Sequence, residues 1–414
     1  SRWSCPVKFR SHTLDNGLEI VAECNESAYS IGLGFFVRTG ARDENDELAG
    51  VSHFLEHMVF KGTPRRSPDD VNREFDELGA HYNAFTSEEN TVYYASVLPE
   101  YQEPVVDILA DIMRPSLRAE DFAMEKKVII EEIQMYADQP PFGMDDRIKE
   151  LHYGNHPLAR SVLGTEESVG ALAVGQMQNY FESRYAPNNM FVAAAGKVDF
   201  EALVRQVEAR CAAWTSAPSE RALPRSNSTT SFHCVSRPSS TQQYILQLAD
   251  APAAEDERRY AAKLLATIFG DDSGSRLYWE LVDPGLVESA SVGHYEYQGA
   301  GMYFAWISCE PESAVDNFAR VSELQHQAEA GGFTPQELHQ AKSKVKSRVV
   351  LGSERPRNRL FNVGGNWLQR REYRSTADDL RSIDAVTLAD IEQVLRDFPL
   401  TRHTTVTIGP LEKW

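Results

Sequence analysis

Apolar positions change period along the chain, and each change marks an element. Between residues 12 and 21 two short apolar runs flank Asn16-Gly17, a dipeptide suited to a tight hairpin turn. Residues 30–38 form a mostly apolar run of strand length. From 48 to 61 the apolar spacing becomes helical. A second helix is predicted over 68–78, with Ser67 as N-cap, Pro68 in the first helical position and Gly79 closing it. Residues 81–86 and 91–98 are rich in β-formers and enclose Ser87-Glu88-Glu89-Asn90, which predicts a hairpin. Helices are predicted over 103–113 and 119–136.

The same order returns later. Residues 264–270 resemble 55–62. Residues 277–285 can be laid on 71–79, each a helix closed by glycine, and both are followed by a hairpin and a further helix. Residues 333–338 resemble 117–122, and each stretch opens another helix. A segment with Pro218, Pro224 and many small polar residues separates the copies. We therefore expect an N-terminal domain over 1–213, a linker over 214–228 and a C-terminal domain over 229–414. The element order predicts an α+β fold of two similar domains, each an antiparallel-rich sheet with helices packed on one face.

Composition narrows the function classes. The chain has 414 residues, 42% apolar and 25% charged, with a formal charge of −19. An excess of acid argues against a nucleic-acid partner, which needs a basic face. The charge serves solubility, or it lines an acidic chamber that attracts basic peptides. No apolar run is long enough to span a bilayer, so no membrane partner is expected. The first ten residues show no secretory leader, although a trimmed chain could have lost one. A soluble protein is expected, with the cytoplasm favoured over the periplasm or an organelle. Cys5, Cys24, Cys211, Cys234 and Cys309 are far apart and form no CxxC, which suggests free, mostly buried thiols.

Candidate chemistry begins at His53-Phe54-Leu55-Glu56-His57. On a helix, positions i and i+4 share a face, so both imidazoles can reach one ion, and Glu56 lies beside that face. Two neutral imidazoles with a nearby carboxylate suit Zn²⁺ and the deprotonation of a zinc-activated water. The second copy has Ala262, Leu265 and Ala266 where the first has His53, Glu56 and His57. The fold accepts apolar residues there, so three polar groups in the first copy ask for a function. A third protein ligand is needed, and the helix over 119–136 offers Glu125, Glu131 and Glu132. Glu125 and Glu132 share one face, with Glu131 roughly 100° away. Position alone does not choose among the three.

At these residues the sequence resembles the pitrilysin/insulinase-type metallopeptidases, and within them the half-length branch that includes the mitochondrial processing peptidase. Residues 53–63 look like that family's zinc helix and its exit, residues 83–91 with Tyr93-Tyr94 like its substrate-binding edge strand, and residues 125–132 like its third-ligand helix. The resemblance implies His53, His57 and Glu132 as ligands of one Zn²⁺ per chain, Glu56 as general base and Glu125 as a second carboxylate tuning the site. It implies that Asn83, Ala84 and Phe85 pair with an extended peptide, which any exposed strand edge can do. His81 is read as part of the hairpin. The resemblance also implies two chains enclosing a chamber. Catalytic members often carry an Arg and, seven residues later, a Tyr that hold the substrate carbonyl. This chain has Val282 and Glu288 at the aligned positions, with one residue deleted near Pro284.

The expected activity is therefore a zinc-dependent endopeptidase acting on peptides or unfolded segments. The expected partner is a related subunit that supplies the Arg/Tyr pair, with a homodimer using Arg276 or Tyr278 as the alternative. Two other classes compete. One is a non-catalytic core or assembly subunit of the same fold, which intact His53, Glu56, His57 and Glu132 disfavour. The other is a binding protein with a structural zinc, which would need a fourth Cys or His ligand that the segment lacks.

Overall fold

A computed structural model describes residues 7–139 and 143–414. Cys5 lies outside them, as does the start of the N-terminal stretch read for a leader. The strands are β1 (Lys8–Thr13), β2 (Glu19–Cys24), β3 (Ile31–Val37), β4 (His81–Thr86), β5 (Thr91–Val97), β6 (Met190–Gly196), β7 (Phe232–Ser236), β8 (Gln243–Ala251), β9 (Ser289–Tyr297), β10 (Ala300–Cys309) and β11 (His403–Gly409). The helices are α1 (Val51–Val59), α2 (Pro68–Glu77), α3 (Gln102–Ile112), α4 (Ala119–Asp138), α5 (Met144–Tyr153), α6 (Glu166–Ala171), α7 (Val174–Arg184), α8 (Phe200–Cys211), α9 (Arg259–Gly270), α10 (Ala314–Gly331), α11 (Pro335–Ser353), α12 (Pro356–Arg370), α13 (Thr376–Ala385) and α14 (Leu388–Asp397).

Local signals account for the boundaries. Gly17 takes φ +89°, and the Asn16 side chain accepts from Leu18 N–H at 3.2 Å, which closes the first turn. At the start of α2, Ser67 Oγ accepts from Asp70 N–H at 3.1 Å while Asp70 Oδ2 accepts from Ser67 N–H at 2.9 Å. Gly79 ends that helix at φ +62°. The helix expected from residue 48 begins only at Val51, because a short 3-10 turn over Asp46–Leu48 and Gly50 at φ +92° interrupt it.

Two sheets form, ordered β1-β2-β6-β3-β5-β4 and β7-β11-β8-β10-β9. In the first, β2 and β6 run parallel and the other pairs are antiparallel. In the second, β7 and β11 are the parallel pair. The repeat is thus one of topology, strand for strand, apart from the extra β1.

The chain divides into two compact units, neither of them a continuous half. The first holds the described residues up to Gln134, then Arg160–Ala222 and Leu351–Arg374; the second holds Met135–Ala159, Leu223–Val350 and Ser375–Trp414. This differs from one cut at 214–228, because each unit takes a helix from the other half of the sequence. In the first unit most helices gather on one sheet face around Phe54, Leu55, Phe75, Ile108 and Met177. The opposite face is covered by α12, whose Leu360, Val363 and Leu368 pack on Phe36, Val92 and Phe191. Gly364 permits that approach, since a Cβ there would sit 2.3 Å from the Phe36 ring. In the second unit α5 covers Leu246, Leu248, Met302 and Val406 in the same way.

The 214–228 segment has no helix or strand, as expected of a linker, yet hydrogen bonds hold it. Asn188 Nδ2 donates to Ala217 O at 2.7 Å in the first unit. The His156 side chain meets Pro224 O at 3.1 Å in the second. Cys24, Cys211, Cys234 and Cys309 are unpaired. No described helix is long and apolar enough to cross a membrane.

Candidate active site

The first unit brings α1, α4 and β4 together. Helix α1 buries Val51, Phe54, Leu55, Met58 and Val59, which leaves His53, Glu56 and His57 on the outward arc. Phe54 stacks on Phe122 of α4 with centroids 4.6 Å apart and planes 17° apart. That contact fixes α4 against α1. Along α4, Phe122, Glu125 and Ile129 are buried, and Glu132 continues the same face while Glu131 is exposed. Helical phase and packing together separate Glu132 from Glu131, where spacing alone left both open.

Glu132 Oε2 lies 3.9 Å from His53 Nε2 and 3.9 Å from His57 Nε2. Ligand atoms of the three residues fall within 4.8 Å of one another, the one such cluster among the described residues. Two zinc ligands at about 2.0–2.2 Å in tetrahedral geometry stand about 3.4 Å apart. The two 3.9 Å gaps are too wide for hydrogen bonds and somewhat wider than that spacing. The donor set fits a zinc ion with one coordination position left open, because no fourth ligand joins it among the described residues.

The imidazoles are prepared as donors. Burial, with His57 beside it, pushes His53 down to about 4, so the ring stays neutral and keeps a lone pair at neutral pH. His57 Nδ1 lies 3.1 Å from Glu125 Oε2, and an Nδ1–H donated to that carboxylate leaves Nε2 free to bind a cation. Lys61 Nζ stands 2.7 Å from the other Glu125 oxygen. Glu125 is thereby held from both sides.

Glu56 sits beside the cluster. Its Oε2 accepts a 2.7 Å hydrogen bond from Thr86 Oγ1, which leaves the other oxygen available. Burial raises its carboxyl above the usual range, against the Thr86 bond and the His57 charge, which lower it. A carboxylate so placed is a better proton acceptor than an exposed one. Sequence reasoning did not single out Thr86 or Lys61. Thr86 follows Phe85 on β4 and Lys61 lies one turn beyond His57, but neither position alone announces the contact.

Asn83, Ala84 and Phe85 lie on β4, which is the edge of its sheet. Thr86 points to the Glu56 side, while Phe85 lies on the other face, 5.9 Å from the Phe361 ring. His81 is also on β4 and is outside the ligand cluster.

The second unit holds the aligned positions and Arg276, one of the two alternatives raised above. Val282 is half-buried at the end of a π turn over Tyr278–Val282, and Glu288 is exposed. Arg276 donates to both oxygens of Glu337, at 2.7 and 3.1 Å, and its guanidinium lies 4.4 Å over Phe333. That side chain is committed within its own unit.

Comparison with known proteins identifies the relatives of the chain. The chain is 34% identical to an uncharacterized zinc protease of Streptomyces coelicolor, over 97% of this chain and 90% of the relative. It is 32% identical to an uncharacterized zinc protease of Mycobacterium tuberculosis, over 97% and 93%. A protease from Helicobacter pylori shares the fold with a TM-score of 0.90 at 21% identity, covering 98% of this chain and 100% of that one. A Pseudomonas fluorescens structure described as a peptidase M16 inactive domain superposes with a TM-score of 0.91 at 18% identity, over 98% of each chain. Residues 171–345 match the family described as Peptidase M16 inactive domain, and residues 19–166 match Insulinase (Peptidase family M16). With full-length relatives above 30% identity and both family patterns in order, the chain belongs to the insulinase family of peptidases, M16.

Proposed function

We propose that the protein is a zinc-dependent endopeptidase that hydrolyses peptides or unfolded segments. The observation that carries this reading is the His53–His57–Glu132 cluster set against a half-buried Glu56 beside an edge strand. Zinc held by His53, His57 and Glu132 would supply a Lewis acid that polarises the scissile carbonyl and lowers the pKa of water. Glu56 takes the proton of the attacking water on the oxygen that Thr86 does not occupy, and returns it to the leaving amine. Glu125 orients His57 through Nδ1. Asn83, Ala84 and Phe85 align an extended peptide by adding it as a strand to the β4 edge.

The reading includes a partner. Val282 and Glu288 stand where many peptidases of this family hold the substrate carbonyl, and Arg276 is tied to Glu337. A second, related chain that supplies an Arg and a Tyr would complete both the site and a closed chamber. A homodimer would lack them in every copy. The intact cluster disfavours a non-catalytic assembly role. The deciding experiment purifies the chain with stoichiometric zinc and assays a quenched, unstructured peptide, alone and with related chains from the same source. Zinc-bound protein that cleaves nothing under either condition refutes the peptidase reading. Full turnover by the isolated chain refutes only the partner.

A further inference from the structure

The residues between β3 and α1 are not assigned any part in the chemistry above, yet they touch both halves of the site. Glu44 is buried, 4% exposed, and faces the N-terminal end of α1. Its Oε1 accepts from Gly50 N–H at 2.9 Å and its Oε2 from Ser52 N–H at 2.7 Å. These are free donors at the start of a helix, and a carboxylate also suits the positive end of the helix dipole. Ser52 immediately precedes His53. Its hydroxyl meets Tyr180 OH at 2.7 Å, and Tyr180 OH meets Thr39 Oγ1 at 2.5 Å.

Two to four residues before Glu44, the same segment grips the β4–β5 turn. Ala41 N–H donates to Ser87 O at 3.2 Å and Arg42 N–H to Glu88 O at 2.9 Å. Arg42 Nη1 is paired with Glu89 at 2.7 Å, with both side chains buried. Gly40 runs so close that an added Cβ would lie 2.4 Å from Ser87 O and 2.6 Å from the Glu88 carbonyl carbon. Ser87 follows Thr86, which holds Glu56.

We infer that Glu44 is a positioning residue, its carboxylate fixing the start of α1 while the backbone at 40–42 fixes the β4–β5 turn, so that one segment sets the register between the histidine pair and the peptide edge. Burial pushes the Glu44 carboxyl up, against the bonds from Ser52 and Gly50 that lower it, and both oxygens accept from N–H groups, as an ionised carboxylate does. A site that merely capped a helix could use an exposed Ser or Asp at far lower desolvation cost. The inference rests on the peptidase reading only for its kinetic consequences; its geometric part concerns the metal ligands.

Cobalt(II) substitution tests it without turnover, since the visible absorption of the ion reports ligand geometry. Glu44→Gln keeps the shape but turns an NH2 toward one of the two N–H donors. In the folded variant we expect an altered cobalt spectrum, with cobalt affinity and kcat each reduced about 10–100-fold, the usual range for groups behind a ligand. Tyr180→Phe removes only the hydroxyl and moves the same readouts in the same direction by less; it decides the matter if Glu44→Gln does not fold. Gly40→Ala displaces the turn and raises KM while leaving the cobalt spectrum unchanged. Glu23→Gln, which breaks a buried pair with Arg359 in the same unit, serves as the control: it lowers the melting temperature and leaves the spectrum and kcat alone. Folded Glu44→Gln and Tyr180→Phe with the wild-type spectrum, affinity and kcat overturn the inference, and Gly40→Ala with unchanged KM overturns its second half. Wild-type protein that binds cobalt but cleaves no peptide defeats the peptidase reading alone, and the spectra still decide this one. Wild-type protein that binds no cobalt defeats both.

Discussion

Glu56→Gln separates the general base from every other role that position could play. The amide has the shape of the carboxylate, and its oxygen can still accept from Thr86 Oγ1, now 2.7 Å from Oε2. Glu56 is not among the three residues whose donor atoms cluster, so metal content should stay at one ion per chain. What disappears is a proton acceptor, and general bases are worth about 10²–10⁴ in rate, roughly 2.7–5.5 kcal/mol of barrier. Peptide binding through the β4 edge is untouched, so the loss should fall on kcat rather than KM. Stability should move the other way. Burial raises the folded carboxyl above its unfolded value, so ionisation costs stability once the pH exceeds the ordinary carboxylate range. The neutral amide lacks that cost, and the metal-free variant should melt no lower than wild type at pH 7. The assay combines metal analysis, calorimetry and a quenched peptide under saturating conditions. Wild-type kcat in the variant would refute Glu56 as base, and loss of the metal would make it a ligand instead.

Four further outcomes follow from the geometry. Glu132→Gln should lose bound zinc while exposed Glu131→Gln keeps it, read by metal content after dialysis; the reverse would put the ligand on the wrong face of α4. Phe54→Ala removes a fully buried ring stacked on Phe122 and should cost about 3–5 kcal/mol in denaturant unfolding, together with weaker metal binding. Burial alone would raise Asp107, but hydrogen bonds from Arg66, Arg210 and Arg65 outweigh it and hold the carboxyl well below the usual range. That stability is present above the unfolded pKa near about 3.9 and is lost as pH falls through the folded value. Asp107→Asn should therefore be less stable than wild type at pH 7, and the gap should close on acidification below about pH 4. Arg276→Ala should lower the melting temperature by freeing Glu337 but reduce kcat far less than the about 10²–10³ expected on losing an oxyanion donor.

Sequence pattern carried the element order well because each signal is local. The Asn16-Gly17 turn, the Ser67 cap and the Gly79 stop depend on residues within a few positions of the event. His53, Glu56 and His57 were legible for the same reason, since one helical turn defines their face. Glu132 was legible only with the family resemblance, because a choice against Glu131 needs to know which face of α4 meets α1. The exchange of α5 and α12 was not legible. Their apolar stripes say that they are covered but not by which sheet, and both end up on faces of strands that come from the other half of the chain. A hint existed in β3 and β6, whose residues are buried on both sides; such continuous apolar runs mean two covered faces. Thr86 depends on the approach of a segment 30 residues away in sequence, and Glu44 on a loop that folds back onto Gly50 and Ser52; no periodicity encodes either.

The second unit serves as an internal control on what the fold itself requires. Its α9 occupies the place of α1 in a sheet of the same strand order, and it carries Ala262, Leu265 and Ala266, each buried, where α1 has His53, Glu56 and His57. Its α11 corresponds to α4, with buried Ala341 in place of Glu125 and Arg348 in place of Glu132. Arg348 is turned to Asp271 at 2.9 Å, where Lys344 joins it at 3.0 Å. Apolar residues are therefore the stable solution at four of these five positions, and an ion pair with a different partner is the solution at the fifth. In the first unit, by contrast, the equivalent residues converge three donor atoms on one point and leave His53 Nδ1 buried without a hydrogen-bond partner. Buried polar groups without partners cost free energy that packing alone would remove. A chain that holds both versions of one helix pair has retained that cost in one unit only, and on the proposed reading a cation held by His53, His57 and Glu132 would satisfy the atoms that converge there.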